Sequence, residues 1–260
     1  MRLQNGFLSF VRFEGDTLEG LILAAGKGSR LSPDASAGVC KALVEVEGAP
    51  LITYSLENLI RLGVRKATVV VGNGRREIES FLGDRYKGIR LAYAVQEKPL
   101  GLVNAIVSAK ETVRSDVVLQ LSDEIFLRPM LGEAFLSQLA GLDFAVGYTL
   151  DSEEKIKRNF SIETDENMRL LGCKEKPQQV SGNRKGTGFC WFSRACWELL
   201  VSVYDRQKNS PNDLCDYINL LIADGKTGKA IRIAEEEINV NTPGDLLYAQ
   251  RRIRQENAGA

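Results

Sequence analysis

The stretch LILAAGKGSRL, residues 21–31, runs from an apolar segment straight into a turn that holds Gly26, Lys27, Gly28 and Arg30. A short apolar run closed by turn residues reads as a strand buried on both faces, the kind that parallel sheets contain. Glycine then lets the backbone bend sharply and approach a ligand, and the N–H groups it exposes attract anions. What surrounds this turn decides which fold carries it and which anion it meets.

Outward from GLILAA (20–25), strand and helix patterns alternate. PLITYSLENLIRLG (50–63) places Leu51, Ile52, Ser55, Leu56, Leu59 and Ile60 on one helical face, and Gly63 closes the helix. KATVVVG (66–72) is a second strand, followed by a helix over about 75–82; IRLAYAVQ (89–96) is a third, followed by the helix GLVNAIVSAKETV (101–113). DVVLQLSD (116–123) is a fourth strand ending in charge, and a helix over about 130–140 leads to the strand DFAVGYTL (143–150). Such alternation predicts an α/β fold, a mostly parallel sheet with helices on both faces. The second half changes character. NFSIETDENMRLLGCKEKP (159–177) reads as a β-hairpin and GTGFCWFS (186–193) as a strand; helices near 194–203 and 212–224, a strand at 229–234 and a terminal helix from about 243 complete the chain. The expected organisation is one domain over 20–256, with a first part over about 20–150 and a smaller β-rich lobe over about 151–256. Residues 1–19 form an extension that adds at most an edge strand.

Bulk properties narrow the chemistry. The 260 residues are 44% hydrophobic and 26% charged, an ordinary globular composition with enough apolar residues for a substantial core. Lys and Arg number 34, as do Asp and Glu, so the net charge is zero and gives no general reason to expect nucleic acid or an anionic membrane as partner. No apolar run approaches the roughly 18 residues a membrane helix needs, and no signal peptide is evident. Cys40, Cys173, Cys190, Cys196 and Cys215 show no CxxC spacing, so the expectation is reduced thiols in a cytoplasm. Histidine is absent. That removes the commonest general base, and leaves carboxylates, cations, backbone amides and a hard metal ion to do any catalysis.

Three phosphate-binding templates can be laid over the turn. A Walker A loop fails because Leu21 and Gly28 stand where Gly and Ser or Thr are needed, and a GxGxxG turn fails at Leu31. The pattern strand–AAGxGxR–loop–K is met by Ala24, Ala25, Gly26, Gly28, Ser29, Arg30 and Lys41. At this point the chain resembles the sugar-1-phosphate nucleotidyltransferases, most closely the glucose-1-phosphate thymidylyltransferase type, over roughly residues 20–255. The resemblance rests on an ordered set: LILAAGKGSRL, CKALVEVEGAPLITYSLENL, VQEKPLGLVNAI, LQLSDEIF, EKPQQVSGNRKGTGF and INVNTPGDLLYA. It implies a Rossmann-like sheet with an acceptor-binding lobe, and transfer of a nucleotidyl group from an NTP to a sugar-1-phosphate. It also implies Mg²⁺ and, in many family members, dimers or tetramers.

The residue chemistry agrees. Gly26 and Gly28 allow close approach to a polyphosphate, while Arg30 and Lys41 can neutralise the β- and γ-phosphates that leave; Lys27 reads equally well as a solvated side chain or a ligand. Gln96, with an amide that both donates and accepts, can read a pyrimidine edge, and Gly101 leaves room for a backbone contact; uracil, thymine and cytosine stay open. Asp123, at the carboxyl end of an apolar strand, can hold Mg²⁺ at the α-phosphate. By resemblance, Glu175 and Lys176 hold the sugar hydroxyls and the sugar phosphate, and Thr187 and Gly188 lie beside the acceptor.

Departures from the family pattern bear on substrate. Ser122 and Glu124 replace the family's Gly and Asn around Asp123, so that Glu124 either strengthens the metal site or repels a phosphorylated acceptor. Phe160 stands where a glycine passes the sugar, and Asn239, with Asn241 two residues on, stands where an aspartate binds metal. An asparagine oxygen ligates Mg²⁺ without bringing charge; both residues also read as a polar strand end before a helix opened by Thr242 as N-cap and Pro243 at N1. Two other readings stay open. If Phe160 and Trp191 make an aromatic face, a choline-like cation fits and the acceptor is a phospho-alcohol; if the metal site is too weak, the chain binds nucleotide without turnover.

Overall fold

The computed structural model describes residues 18–26, 28, 30–31, 40–206 and 213–259. Residues 1–17, Lys27 and Ser29 lie outside the described residues. The elements in chain order are β1 (Leu18–Leu23), β2 (Glu45–Val46), β3 (Ala49–Pro50), α1 (Leu51–Arg61), β4 (Lys66–Val71), α2 (Arg75–Leu82), β5 (Arg85–Tyr86) and β6 (Ile89–Val95). Then come α3 (Leu102–Ser108), β7 (Asp116–Leu121), β8 (Glu124–Pro129), α4 (Glu133–Leu136), β9 (Phe144–Leu150), α5 (Glu153–Arg158) and β10 (Phe160–Thr164). The chain finishes with β11 (Leu170–Glu175), β12 (Arg184–Phe192), α6 (Arg194–Arg206), α7 (Leu214–Ala223), β13 (Gly228–Arg232), β14 (Ala234–Asn239) and α8 (Pro243–Gly259).

The centre is the parallel run β7-β1-β4-β6, in which Leu21 pairs with both Thr68 and Leu119. Alternate residues of these strands feed opposite cores, as the two-residue strand period requires. Leu21, Leu23, Val70 and Val117 pack with α3, α6 and α7 on one face. Ile22, Val69, Val71 and Val118 pack with α1 and α2 on the other. Both faces are therefore covered, which is why these strands read as continuous apolar runs. The second half joins the sheet antiparallel: β12 pairs with β7, β9 and β10, and β10 with β11. Gly63 takes φ 73 as the C-terminal stop of α1, and α8 opens at Pro243 behind Thr242.

Four features depart from the expected element list. β1 opens at Leu18, so the first strand takes in two residues assigned to the extension. The helix expected over 130–140 is a single α-turn, Glu133–Leu136, followed by a 3₁₀ turn, Ser137–Leu139. α5 is a charged helix with only Ile156 buried; Ser152 caps it and Lys157–Glu153 (2.6 Å) and Arg158–Glu154 (2.6 Å) span its turns. Most consequential, β8 and β14 pair antiparallel in a small separate sheet, with Asn239 opposite Glu124, over a third core cluster that includes Ile125, Leu127, Ile238 and Ile253.

Candidate active site

A cleft of about 480 Å³ opens at the carboxyl ends of the parallel strands, where ligands of open α/β sheets bind. Ala24, Ala25 and Gly26 line it from the end of β1, Gln96 from the end of β6, Gly101 from the start of α3 and Asp123 from the end of β7. Lys41 reaches it from the first position of a short 3₁₀ turn, Lys41–Leu43. Gly28 holds φ 65 in the turn that Leu31 N–H closes onto its carbonyl at 2.9 Å, a left-handed conformation that a side chain would strain. One cleft thus collects most of the residues expected to bind nucleotide.

Lys41 and Asp123 of the lining belong to a continuous hydrogen-bonded chain that extends beyond the cleft to Arg30, Asn241 and Asn239. Arg30 Nη2 donates to Asn241 Oδ1 at 2.9 Å, and Lys41 Nζ donates to the same oxygen at 2.8 Å. Lys41 also forms an ion pair with Asp123 Oδ2, and Asn241 Nδ2 donates to Asn239 Oδ1. Backbone geometry brings these distant residues together. The β8–β14 ladder ends with Asn239 opposite Glu124, and Val240 N–H donates to Asp123 O at 2.9 Å. Beyond it, Asp245 accepts from the N–H groups of Asn241 (3.0 Å) and Thr242 (2.8 Å), while its own N–H donates to Thr242 Oγ1 at 3.2 Å. This reciprocal cap fixes the Asn241 loop; the Thr-Pro-Gly-Asp spacing is the sequence signal that marks it.

Asp123, Asn239 and Asn241 are hard oxygen donors of the kind Mg²⁺ or Mn²⁺ takes. No group of three or more acidic or thiol side chains suited to a metal occurs among the described residues, and Asp123 is the one carboxylate in this set of three. The Lys41 ammonium bonds both Asp123 and Asn241, which shows that these oxygens converge on one cation.

The residues expected at the acceptor are distributed differently. Glu124 is buried, and its Oε1 accepts from Gly188 N–H at 2.7 Å while Oε2 has no partner. Burial raises its carboxyl well above the usual range, the charges of Glu237 and Asp123 add to this, and the Gly188 bond opposes it. Behind it, Lys185 pairs with Glu237 at 2.5 Å and Asp151 at 2.9 Å, a buried ion cluster with no signature in the sequence. Thr187 spends its hydroxyl on Gly147 O at 3.0 Å and is buried. Glu175 and Lys176 close the β10–β11 hairpin: Lys176 N–H donates to Asn159 O at 2.7 Å, its ammonium lies 3.5 Å from Glu175, and its side chain is 69% exposed. Burial raises the Glu175 carboxyl, against the Lys176 charge. No hydrogen bond or ion pair among the described residues ties this hairpin end to Asp123.

Phe160 packs into the core. A Cβ on Gly186 would lie 1.8 Å from its ring, so the ring fills the space that a side chain at that glycine would need. Trp191 lies in the core on the opposite face of the sheet. The two rings form no common aromatic face, which removes the basis for a choline-like acceptor.

Fold and cleft together define an α/β protein with a strand-end carboxylate and a lysine facing a cleft at the carboxyl ends of its parallel strands. The nucleotidyl transferase family model matches residues 19–250, and the chain belongs to that family. It is 30% identical over 246 residues to a UTP–glucose-1-phosphate uridylyltransferase of Haloferax volcanii, an alignment covering 94% of this chain and 99% of that protein. It is 35% identical over 187 residues to a glucose-1-phosphate thymidylyltransferase of Neisseria gonorrhoeae, covering 70% of this chain and 64% of that protein. A UDP-glucose pyrophosphorylase solved with UDP-glucose superposes with a TM-score of 0.79 at 17% identity, over 92% of this chain and 99% of that one. No helix among the described residues is long and apolar enough to cross a membrane, and the five cysteines are free.

Proposed function

We propose that this chain joins a pyrimidine nucleoside triphosphate, UTP or dTTP, to a sugar-1-phosphate, giving a nucleotide sugar and pyrophosphate. The activities named for its relatives support the reading. The observation that carries it is the chain Arg30–Asn241–Lys41–Asp123, which links the glycine turn to the strand-end carboxylate of the cleft.

The chemistry then follows from charge. An oxygen of the sugar phosphate, already anionic near neutral pH, attacks the α-phosphorus in line; a P–O bond forms there as the bond to the β-phosphate oxygen breaks. No general base is needed, which suits a chain without histidine. Gly26 and the turn around Gly28 present backbone N–H groups to the triphosphate, and Arg30 and Lys41 neutralise the departing pyrophosphate. Asp123, Asn239 and Asn241 are the residues that would hold a divalent metal, which would supply charge neutralisation to the reacting phosphates when bound. Lys176, solvated at the hairpin end, aligns the nucleophile, with Glu175 on the sugar hydroxyls; Glu124 and Gly188 bound the acceptor from below.

Pyrophosphate release from UTP or dTTP with glucose-1-phosphate tests the reading. Asp123→Ala and Lys176→Ala are expected to cut turnover by about 10²-fold or more with the fold intact. Near-normal release from either variant refutes the role given to that residue. Saturable nucleotide binding with no release across a panel of sugar phosphates favours a non-catalytic binding protein.

A further inference from the structure

The base-reading edge of the cleft has a support that the motif pattern does not contain. Gln96 Nε2 lies 3.0 Å from Gly101 O and 2.9 Å from Asn104 Oδ1. A backbone carbonyl only accepts, so the Gln96 atom facing it is the nitrogen and the orientation of the amide follows from chemistry. The same logic passes outward. Asn104 turns its oxygen to Gln96, and its Nδ2 donates to Tyr204 Oη at 2.8 Å. Asn104 stands on α3, one turn after Gly101; Tyr204 comes from α6, a hundred residues further along the chain.

Both N–H bonds of the Gln96 amide are consumed inside the protein. What it has left for a ligand is Oε1, which accepts and cannot donate, on a side chain that lines the cleft. We propose that Asn104 and Tyr204 are positioning residues that lock Gln96 as an acceptor, so that the site takes a base with a ring N–H at that edge, the imide of uracil or thymine, and rejects cytosine. The ring nitrogen of cytosine at that place carries a lone pair, which would face the lone pairs of Oε1, and a polar edge left unpaired in a desolvated site is strongly disfavoured. The inference rests on the cleft being the nucleotide site, and it specifies how that site discriminates between pyrimidines of equal size.

The test compares kcat/KM for UTP and CTP, each with saturating glucose-1-phosphate, in the wild type, Asn104→Leu, Tyr204→Phe and Asn104→Asp, with melting curves to confirm folding. Wild type is expected to favour UTP by roughly 10²-fold or more. In Asn104→Leu the Gln96 nitrogen keeps Gly101 O and loses its second anchor, so the acceptor orientation is held by one bond instead of two and the UTP/CTP ratio falls about tenfold or more; Tyr204→Phe lowers it in the same direction. Asn104→Asp still accepts from the Gln96 nitrogen and can accept from the Tyr204 hydroxyl, so it keeps the wild-type ratio, an outcome that a merely structural role would not produce. Should Asn104→Leu fail to fold, Tyr204→Phe, which removes one oxygen, carries the test. A wild type that turns over CTP as readily as UTP, or an unchanged ratio in the folded variants, overturns the positioning role and leaves nucleotidyl transfer standing. Absence of turnover and binding with every pyrimidine triphosphate overturns both.

Discussion

Asn241 accepts hydrogen bonds from Arg30 and Lys41 on one oxygen and gives its nitrogen to Asn239, which makes it the link between the cations proposed to hold the triphosphate and the oxygens proposed to hold the metal. An amide suits that place because it accepts from cations without adding charge. In the proposed metal set Asp123 is the one carboxylate and the two amides bring no charge, so the cost falls on metal affinity. Asn239→Asp is therefore expected to lower the Mg²⁺ concentration at half-maximal turnover several-fold, as added carboxylate charge does at hard-metal sites; an unchanged Mg²⁺ titration would remove Asn239 from the ligand set. Residues of this kind were legible wherever chemistry needs a spacing: Ala24, Ala25, Gly26, Lys41, Gln96 and Asp123 stood out in the sequence and line one cleft. Asn104, Tyr204 and Lys185 did not, because a single polar residue on a helix or a central strand has no spacing partner, and its role exists only once the chain has folded.

At the scale of elements, β12 illustrates how a substitution in one strand is accommodated by its neighbour. Phe160 at the start of β10 places its ring over Gly186, where a methyl group would lie 1.8–2.4 Å from the ring atoms. Gly186→Ala is expected to destabilise by about 1–3 kcal/mol through overpacking, and Phe160→Leu in the same chain should recover much of that loss. Denaturant melts of the two single variants and the double variant measure the coupling; simple additivity would mean the ring moves freely. The parallel strands and α1, α2, α7 and α8 follow the apolar period closely, which is why the sequence located them. β14 escaped because acidic residues interrupt its pattern: Glu235, Glu236 and Glu237 occupy half of it, and only its pairing with β8 shows which side chains are sheltered. α5 escaped for the complementary reason, being held by ion pairs and a cap with one apolar contact.

Across the whole molecule, the buried cluster Asp151–Lys185–Glu237 ties the end of β9, the start of β12 and β14 into one unit beneath the proposed reaction site. Burial opposes the charge on Lys185, yet Glu237 and Asp151 together hold its ammonium above the usual range. Burial likewise opposes ionisation of Asp151, and the hydrogen bond and charge of Lys185 outweigh it, so its carboxyl lies below the usual value. A depressed carboxyl stabilises the fold above its unfolded pKa of about 3.9, and that contribution is lost as pH falls through the folded value. Asp151→Asn should therefore flatten the acid limb of the stability profile below about pH 4, and Lys185→Met, which strands two buried carboxylates, should cost about 3–5 kcal/mol at neutral pH. Equilibrium unfolding between pH 3 and 7 would show both effects, and an unaltered acid limb in Asp151→Asn would mean that the pair forms no part of the folded state.

The account depends most on the cleft being the place where a phosphate oxygen attacks a nucleotide. Incubation with UTP labelled at the α-phosphate, glucose-1-phosphate and Mg²⁺, followed by separation of the products, tests this most directly. The prediction is label in a nucleotide sugar, unlabelled pyrophosphate in equal amount, and loss of both in Asp123→Ala. Label that stays in UTP, or a nucleotide sugar formed equally well by Asp123→Ala, would contradict it.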